Sequence, residues 1–320
     1  DLVLVDGCDC VSYAAMGIFA DLTDVMADNE NMKDDYEGIL ASTRYNGRMY
    51  AVPFMSNDLA IMYNKSMFEA AGITKIPESF EELRETAKAL TTDTVFGFGM
   101  VAIQNEEATY SYLPFHMAAC GDSYDPYVLD CEGGLNAMTM LAGMIEDGSM
   151  PKDVIAWGLA DLDSQFGAEK IAMMMNGSWE VVYDEESFPN IEWDAFPVRE
   201  KTVASVFGGE NLAAIDGPQK ERAIDVLDWY MTYEVVKKWT ATEGHFPPRD
   251  ATMTDEFYQG EGWKTFIDLI PYSLARPADV KYPEVSTGYQ MALQEALTLS
   301  KTPEEALKDG QAMIDAALAK

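Results

Sequence analysis

Histidine and basic residues are the scarce groups in this chain of 320 residues: there are 2 histidines, and 22 Lys+Arg stand against 55 Asp+Glu, a formal net charge of −33. A nucleic-acid partner needs Lys and Arg against phosphate, so this balance argues against one. It argues equally against electrostatic binding to an anionic membrane. The acids are scattered rather than blocked, which fits a solvated surface and solubility rather than chemistry. No His-containing triad, His-Glu-x-x-His, Gly-x-Ser-x-Gly elbow or phosphate loop is found. No apolar run approaches the ~18 residues of a membrane span, and no signal peptide is present. Cysteines number 4. Cys8 and Cys10 are one residue apart, a spacing that strains a disulfide. Cys120 and Cys131 flank a loop of Gly, Asp and Pro, and an oxidising compartment could join them. His116 and His245 lack ligand spacing to either cysteine pair, so neither a zinc site nor any other metal or cofactor is expected.

Hydrophobic residues make up 48% of the chain, enough for a globular protein with a sizeable core. It opens on a strand, Leu2–Val5, and residues 6–13 read as a polar loop. Asn46-Gly47 between Tyr45 and Met49-Tyr50 is a two-residue hairpin signal. Residues 56–64 read as a strand with polar residues at its head. Over 77–90, Ser79 is a cap, Glu82 completes a capping box, and Phe80, Leu83, Ala87 and Leu90 form one apolar stripe. Helices are expected over 110–119, 135–147, 218–240, 289–299 and 303–318, the last started by Thr302, Pro303 and Glu305. Ile171 to Met175 is apolar without a break, as in a strand buried on both faces. Gly208-Gly209 interrupts the strand expected over 203–215 and marks a bend or close approach. Strands and helices alternate, which predicts an α/β fold with mainly parallel sheets.

Several motifs then agree in order and spacing: Asn46-Gly47-Arg48-Met49-Tyr50-Ala51-Val52-Pro53, Tyr63-Asn64-Lys65, Ala71-Gly72-Ile73, Phe80-Glu81-Glu82-Leu83, Phe166-Gly167-Ala168-Glu169-Lys170-Ile171-Ala172-Met173, Gly177-Ser178-Trp179, Gly208-Gly209 and Phe246-Pro247. The set resembles the extracellular solute-binding proteins of ABC importers, in the sugar-binding family that includes maltose-binding protein, over nearly the whole chain. The resemblance implies a periplasmic-binding-protein-like fold: two discontinuous α/β lobes joined by a multi-strand hinge, with ligand in the cleft between them. Lobe one is expected at 1–57 and 212–274 and lobe two at 61–206 and 280–320, with crossings near 56–60, 207–212 and 274–280. Family members normally begin with a further strand, helix and strand, so an N-terminal segment is expected to be missing here, with any lipid-attachment cysteine. The implied protein is a monomeric receptor, not an enzyme. It lies outside the cytoplasm, as a cell-surface lipoprotein or in the periplasm, and hands a sugar to an ABC permease. In that setting Cys120 and Cys131 are expected to form a disulfide, and ligand is expected to shift an open form toward a closed one.

A sugar site needs flat aromatic walls and a few fixed polar groups. Trp179 follows the buried strand, where an open α/β sheet binds ligands, and is similar in position to the family's stacking Trp; the alternative is a core Trp under a loop. Tyr110 and Tyr289 fall where family members place aromatics around the sugar. Asn57 and Asp58 sit at a crossing, to take ligand hydroxyls or to bond hinge backbone. Glu210 follows the glycine pair, with Gly209 before it, and faces the cleft in this reading. Asp6, Asp9 and Tyr13 belong to a loop that borders the ligand in the family. Arg249 and Arg276 are candidates for a carboxylate or hydroxyl clamp, or else members of ion pairs. Two other readings stand: a polyamine or other cation receptor of the same fold, whose aromatic walls would face a ring of carboxylates, and a glycoside-processing enzyme with two carboxylates across a cleft.

Overall fold

The longest strand among the described residues, Val203–Ala214, has 12 residues. The computed structural model describes residues 1–26, 29–32, 37–248 and 256–320. Its strands, in order, are β1 Leu2–Asp6, β2 Arg44–Tyr45, β3 Arg48–Met49, β4 Val52–Asn57, β5 Leu59–Asn64, β6 Met173–Gly177, β7 Trp193–Phe196, β8 Val198–Arg199, β9 Val203–Ala214 and β10 Ser273–Ala275. The longer helices are α1 Gly7–Ala15, α2 Phe80–Leu90, α3 Glu106–Cys120, α4 Glu132–Asp147, α5 Leu159–Gly167, α6 Glu180–Ser187, α7 Lys220–Tyr230, α8 Tyr233–Thr242, α9 Tyr282–Leu297 and α10 Pro303–Leu318. The chain divides into two compact units: unit one is Asp1–Asp58, Phe207–Lys264 and Leu274–Pro283, and unit two is Leu59–Val206, Thr265–Ser273 and Glu284–Lys320.

In unit one, β1 and β4 flank β9, both antiparallel to it, with Asp6 opposite Glu210 and Asn57 opposite Gly208. The register slips between Pro53 and Met55, so that Glu210 lies opposite Met55; such a bulge re-aims side chains locally. Asn46 and Gly47 both have positive φ, +50° and +74°, the primed turn that suits the twist of the β2–β3 hairpin. The core gathers Val52, Phe54, Ala214, Leu227, Tyr230 and Val236. Phe54 stacks on Tyr230 at 4.5 Å, and the Tyr230 hydroxyl donates to the Phe54 carbonyl at 2.6 Å.

Two expectations fail in this unit. Residues 7–13 form α1 rather than a polar loop. Cys8, Cys10, Val11 and Ala14 make its buried face, the cysteines acting as small apolar groups, and the Asp6 side chain caps its start by accepting the Cys8 N–H at 3.2 Å. The helix expected over 218–240 is broken into α7 and α8, since Met231 and Thr232 leave the helical path and the Thr232 hydroxyl donates to the Trp229 carbonyl at 2.8 Å. Val226, on α7, is 42% exposed.

In unit two, β5 lies between β6 and β7, antiparallel to both. Backbone around Phe96 and Gly99 lies parallel to β6 and the residues before it: the Gly99 N–H donates to the Met173 carbonyl at 2.9 Å, and the Met175 N–H to the Gly99 carbonyl at 3.1 Å. Mainly parallel sheets were expected, yet the extended ladders among the described residues are antiparallel. Alternation of strand and helix along the chain misleads here because β9 belongs to both units and its neighbours run back along it. Thr265–Ser273, expected in lobe one, packs with unit two, where the Thr265 hydroxyl donates to the Ala195 carbonyl at 2.9 Å.

The cap and stripe of α2 hold, since Ser79 accepts the Glu82 N–H at 3.2 Å and Phe80, Leu83, Ala87 and Leu90 are buried; the expected capping box does not close, because the Glu82 carboxylate accepts the Glu78 N–H at 2.9 Å instead. Thr302 and Glu305 form the capping box of α10. The core of unit two is rich in thioethers: Met62, Met100, Met138, Met144, Met173, Met174 and Met175 are fully buried. Flexible, polarisable Met side chains fill irregular gaps between the sheet and α3, α4 and α9.

Candidate functional site

The polar cluster of unit one is built where β1, β9 and the chain at Ala275-Arg276 meet the start of α1. Arg276 grips Asp6 with two hydrogen bonds, Nη2 to Oδ1 at 2.5 Å and Nη1 to Oδ2 at 3.2 Å, and Nη1 also reaches the Cys8 sulfur at 3.3 Å. The guanidinium side chain is 6% exposed and the Asp6 carboxylate 40%, so the pair points one rim toward solvent. Glu210 sits beside it, and its Oε2 is buried with no hydrogen-bond partner among the described residues. Burial pushes the Glu210 carboxyl up to about 7, the charge of Asp6 adds to the rise, and Arg276 opposes it. Asn211 donates to the Ser42 hydroxyl at 2.9 Å. Burial pushes the Cys10 thiol up to about 12, against a hydrogen bond to Asn211 that lowers it. Arg276, Cys8, Glu210, Ser42 and Asn211 line an open recess of about 30 Å³ together with Gly7, Met55, Phe207 and Gly208.

Gly209 shapes this wall. Its φ is +122°, and a Cβ there would lie 2.1 Å from the Met55 carbonyl oxygen. Only glycine allows β4 and β9 to approach this closely at the bulge.

In unit two, Trp179 follows β6 directly and begins α6. Its indole folds back over Gly177, where a Cβ would lie 2.2 Å from the ring, and it stays partly exposed against the core. Beneath it lies a set of buried acids. Asn176 donates from Nδ2 to Asp163 Oδ1 at 2.6 Å and to Glu180 Oε1 at 2.9 Å, and accepts the Gly177 N–H at 2.9 Å. Burial pushes Glu180 up to about 10, with the charges of Asp163 and Asp184 adding to the rise and a hydrogen bond from the Trp179 side chain opposing it. Asp184 is pushed up to about 7 and Asp163 to about 6, in both cases chiefly by burial. At neutral pH Glu180 therefore holds its proton and serves as a neutral anchor for the indole and for the end of β6.

The sequence-predicted residues divide accordingly. Asp6, Gly209, Glu210 and Arg276 come together in unit one, and the Arg276 ion pair is with Asp6. Asp9 lies in the first turn of α1. Tyr13 is further along it, 40% exposed, with its ring 5.9 Å from Phe19. Asn57 and Asp58 are buried at the end of β4 and do not line the cavity. Tyr110 belongs to the core of unit two, with its hydroxyl donating to the Val206 carbonyl at 3.2 Å. Tyr289, expected as an aromatic wall, is 1% exposed among α3, α4 and α9, and its hydroxyl donates to the Pro126 carbonyl at 2.9 Å; it is a core residue because no face of its ring is open. Arg249 lies outside the described residues. Asn176, Asp163, Glu180 and Asp184 were missed. The i, i+4 pair Glu180 and Asp184 was visible on the sequence, but Asp163 reaches them only through the fold.

Two α/β units that share the strand β9 fit the class of periplasmic binding proteins. The chain belongs to the bacterial extracellular solute-binding proteins, whose family profile matches residues 1–264. A Brucella abortus (strain 2308) protein named as a binding protein is 25% identical over 337 residues, covering 100% of this chain and 80% of its own length. A solute-binding protein of an ABC transporter from Thermotoga lettingae TMO, solved with α-D-tagatose, aligns with a TM-score of 0.91 at 24% identity, over 99% of this chain and 85% of that one. A maltose-bound T. maritima MalE3 aligns with a TM-score of 0.88 at 23% identity, over 99% and 84%. The family is one of transport proteins rather than enzymes, and it places the chain outside the cytoplasm. No helix among the described residues is long and apolar enough to cross a membrane.

Proposed function

We propose that this chain is a sugar receptor, for a mono- or oligosaccharide, that closes on its ligand and delivers it to an ABC-type permease. The observation that carries this reading is the mixed character of the polar wall in unit one. Asp6 is neutralised by Arg276, burial leaves Glu210 about half-protonated at neutral pH, and the buried Glu210 Oε2 has no hydrogen-bond partner among the described residues. A sugar hydroxyl, donor and acceptor both, can meet that oxygen in either protonation state without bringing charge. A polyamine receptor would instead hold several ionised carboxylates against its ligand. The tagatose and maltose bound by the two structural relatives support the same ligand class. Closure is part of this reading: a ligand that binds a closed form better than an open one shifts the population by that difference in affinity.

A thermal-shift screen against monosaccharides, disaccharides, sugar alcohols and polyamines tests the ligand class. A sugar is expected to raise the midpoint by mass action; a rise with polyamines alone would overturn the reading. Trp179→Ala is the sharper probe of the aromatic wall. It is expected to weaken sugar binding by about 1–3 kcal/mol while unit two stays folded. Calorimetric titration gives the affinity, and unchanged binding would make Trp179 a core residue only.

A further inference from the structure

We infer that His116, Cys120 and Cys131 form a three-ligand site in unit two for a thiophilic cation of the zinc(II) class. His116 and Cys120 stand four residues apart on α3 and so share one face. Cys131 is the N-cap of α4, and its sulfur accepts the Gly134 N–H at 3.3 Å. The two helix ends bring the donors to one spot. The His116 Nε2 to Cys131 Sγ distance is 3.4 Å, the two sulfurs are 3.4 Å apart, and all three donor atoms lie within 4.8 Å of one another. Tetrahedral zinc, with about 2.3 Å to sulfur and about 2.0–2.1 Å to nitrogen, needs donor–donor edges of about 3.5–3.8 Å. The two edges at Cys131 need to open by only a few tenths of an ångström, and the His116–Cys120 edge, within 4.8 Å, must settle near about 3.5 Å.

The surroundings are arranged for ligation. The Tyr289 hydroxyl spends its proton on the Pro126 carbonyl at 2.9 Å, so toward His116 Nδ1, 3.4 Å away, its oxygen can only accept. This holds the imidazole as the Nδ1–H tautomer, with the Nε2 lone pair directed at the sulfurs, as outer-shell partners of metal-bound histidines do. Gly133 makes room for the cluster: a Cβ there would lie 2.3 Å from the Cys120 sulfur. His116 and Cys120 are buried and Cys131 is half-buried, so one side remains for a fourth donor from solvent. Binding a divalent ion releases two thiol protons and changes no oxidation state. The expected Cys120–Cys131 disulfide is not formed, since both are free thiols and a bond requires about 2.05 Å. His116, excluded on its linear spacing to a cysteine pair, supplies the third ligand through a helical turn that linear spacing does not display.

The test uses the intact chain, purified with reductant and stripped of metal, then titrated with cobalt(II). One equivalent is expected to give the visible d–d bands of a tetrahedral site and thiolate-to-cobalt charge-transfer absorption, both abolished by stoichiometric zinc(II). Cys131→Ser should lose the charge-transfer intensity, while Cys8→Ser, in unit one, should keep it. Tyr289→Phe should keep the thiolate signature but weaken cobalt affinity about 10-fold, since it removes only the acceptor that orients His116. A featureless cobalt spectrum would overturn the proposal, as would bands that survive Cys131→Ser. Thiol counting on denatured protein prepared without reductant gives a separate arm: two reactive thiols, with Cys120 and Cys131 mapped as a bridge, would assign the pair to a disulfide instead.

Discussion

Arg276→Ala is expected to destabilise unit one by about 2–4 kcal/mol, read as a lower urea midpoint with an unchanged slope. Removing one member of a buried ion pair strands the other, which typically costs about 3–5 kcal/mol. The Asp6 carboxylate is 40% exposed, which moves the expectation toward the lower part of that range. The loss should grow with pH. Glu210 has its folded-state value raised from 4.5 to about 7, so its contribution is fully present below pH 4.5 and is lost as pH rises through 7. Without the guanidinium that opposes the shift, the loss continues to higher pH. Arg276→Lys should recover only part of the effect, because an ammonium cannot repeat the two-pronged contact. A double-mutant cycle with Asp6→Asn isolates the pair, and a coupling under about 0.5 kcal/mol would show that the contact is not what holds the wall.

Glu180→Gln is expected to stabilise unit two at neutral pH by about 3 kcal/mol. In the folded state Glu180 keeps its proton up to about pH 10, whereas the unfolded chain releases it near 4.5. Each pH unit between the two costs about 1.4 kcal/mol of stability, present below 4.5 and lost as pH rises. At pH 7 some 2.5 of those units have been lost, counting up from 4.5. Asp184 and Asp163 work in the same direction over narrower windows, up to about 7 and about 6. The wild-type midpoint should therefore rise on acidification from pH 8 to 5, and the glutamine variant should flatten that slope. Thermal unfolding across this range decides it, and a wild-type midpoint that falls on acidification would refute the account. The same variant keeps an acceptor for Asn176, so the place of Trp179 should be preserved.

What could be read from the residues depended on how local the signal was. Ser79, Thr302 and Gly148 mark helix ends because caps act within one turn, and Asn46-Gly47 sets its hairpin alone. The strand β6 was legible from the unbroken apolar run over 171–175, although it continues to Gly177, and with it the place of Trp179. Helix α1 was hidden because its buried face is made of two cysteines and an alanine with one valine, which carry little pattern. Sheet direction was hidden because it is set by where β9 crosses, not by any residue in it. Of the site, Arg276 and Asp6 are 270 positions apart, and nothing local pairs them. Tyr289 misled because an aromatic at the right place in the chain can face inward as well as outward. The His116–Cys120 spacing was legible as a helical pair, but only once 110–120 is taken as a helix that meets Cys131.

The thioether core of unit two makes the protein a recorder of its own openings. Sulfur in Met173, Met174 and Met175 is sealed from solvent, while Met16 is 69% exposed. Peroxide converts accessible thioethers to sulfoxides and leaves sealed ones until the structure opens. Under oxidant, Met16 should gain oxygen at once, and the buried trio only at the rate at which unit two unfolds. A bound sugar that engages Trp179 should slow that second clock and leave the first untouched.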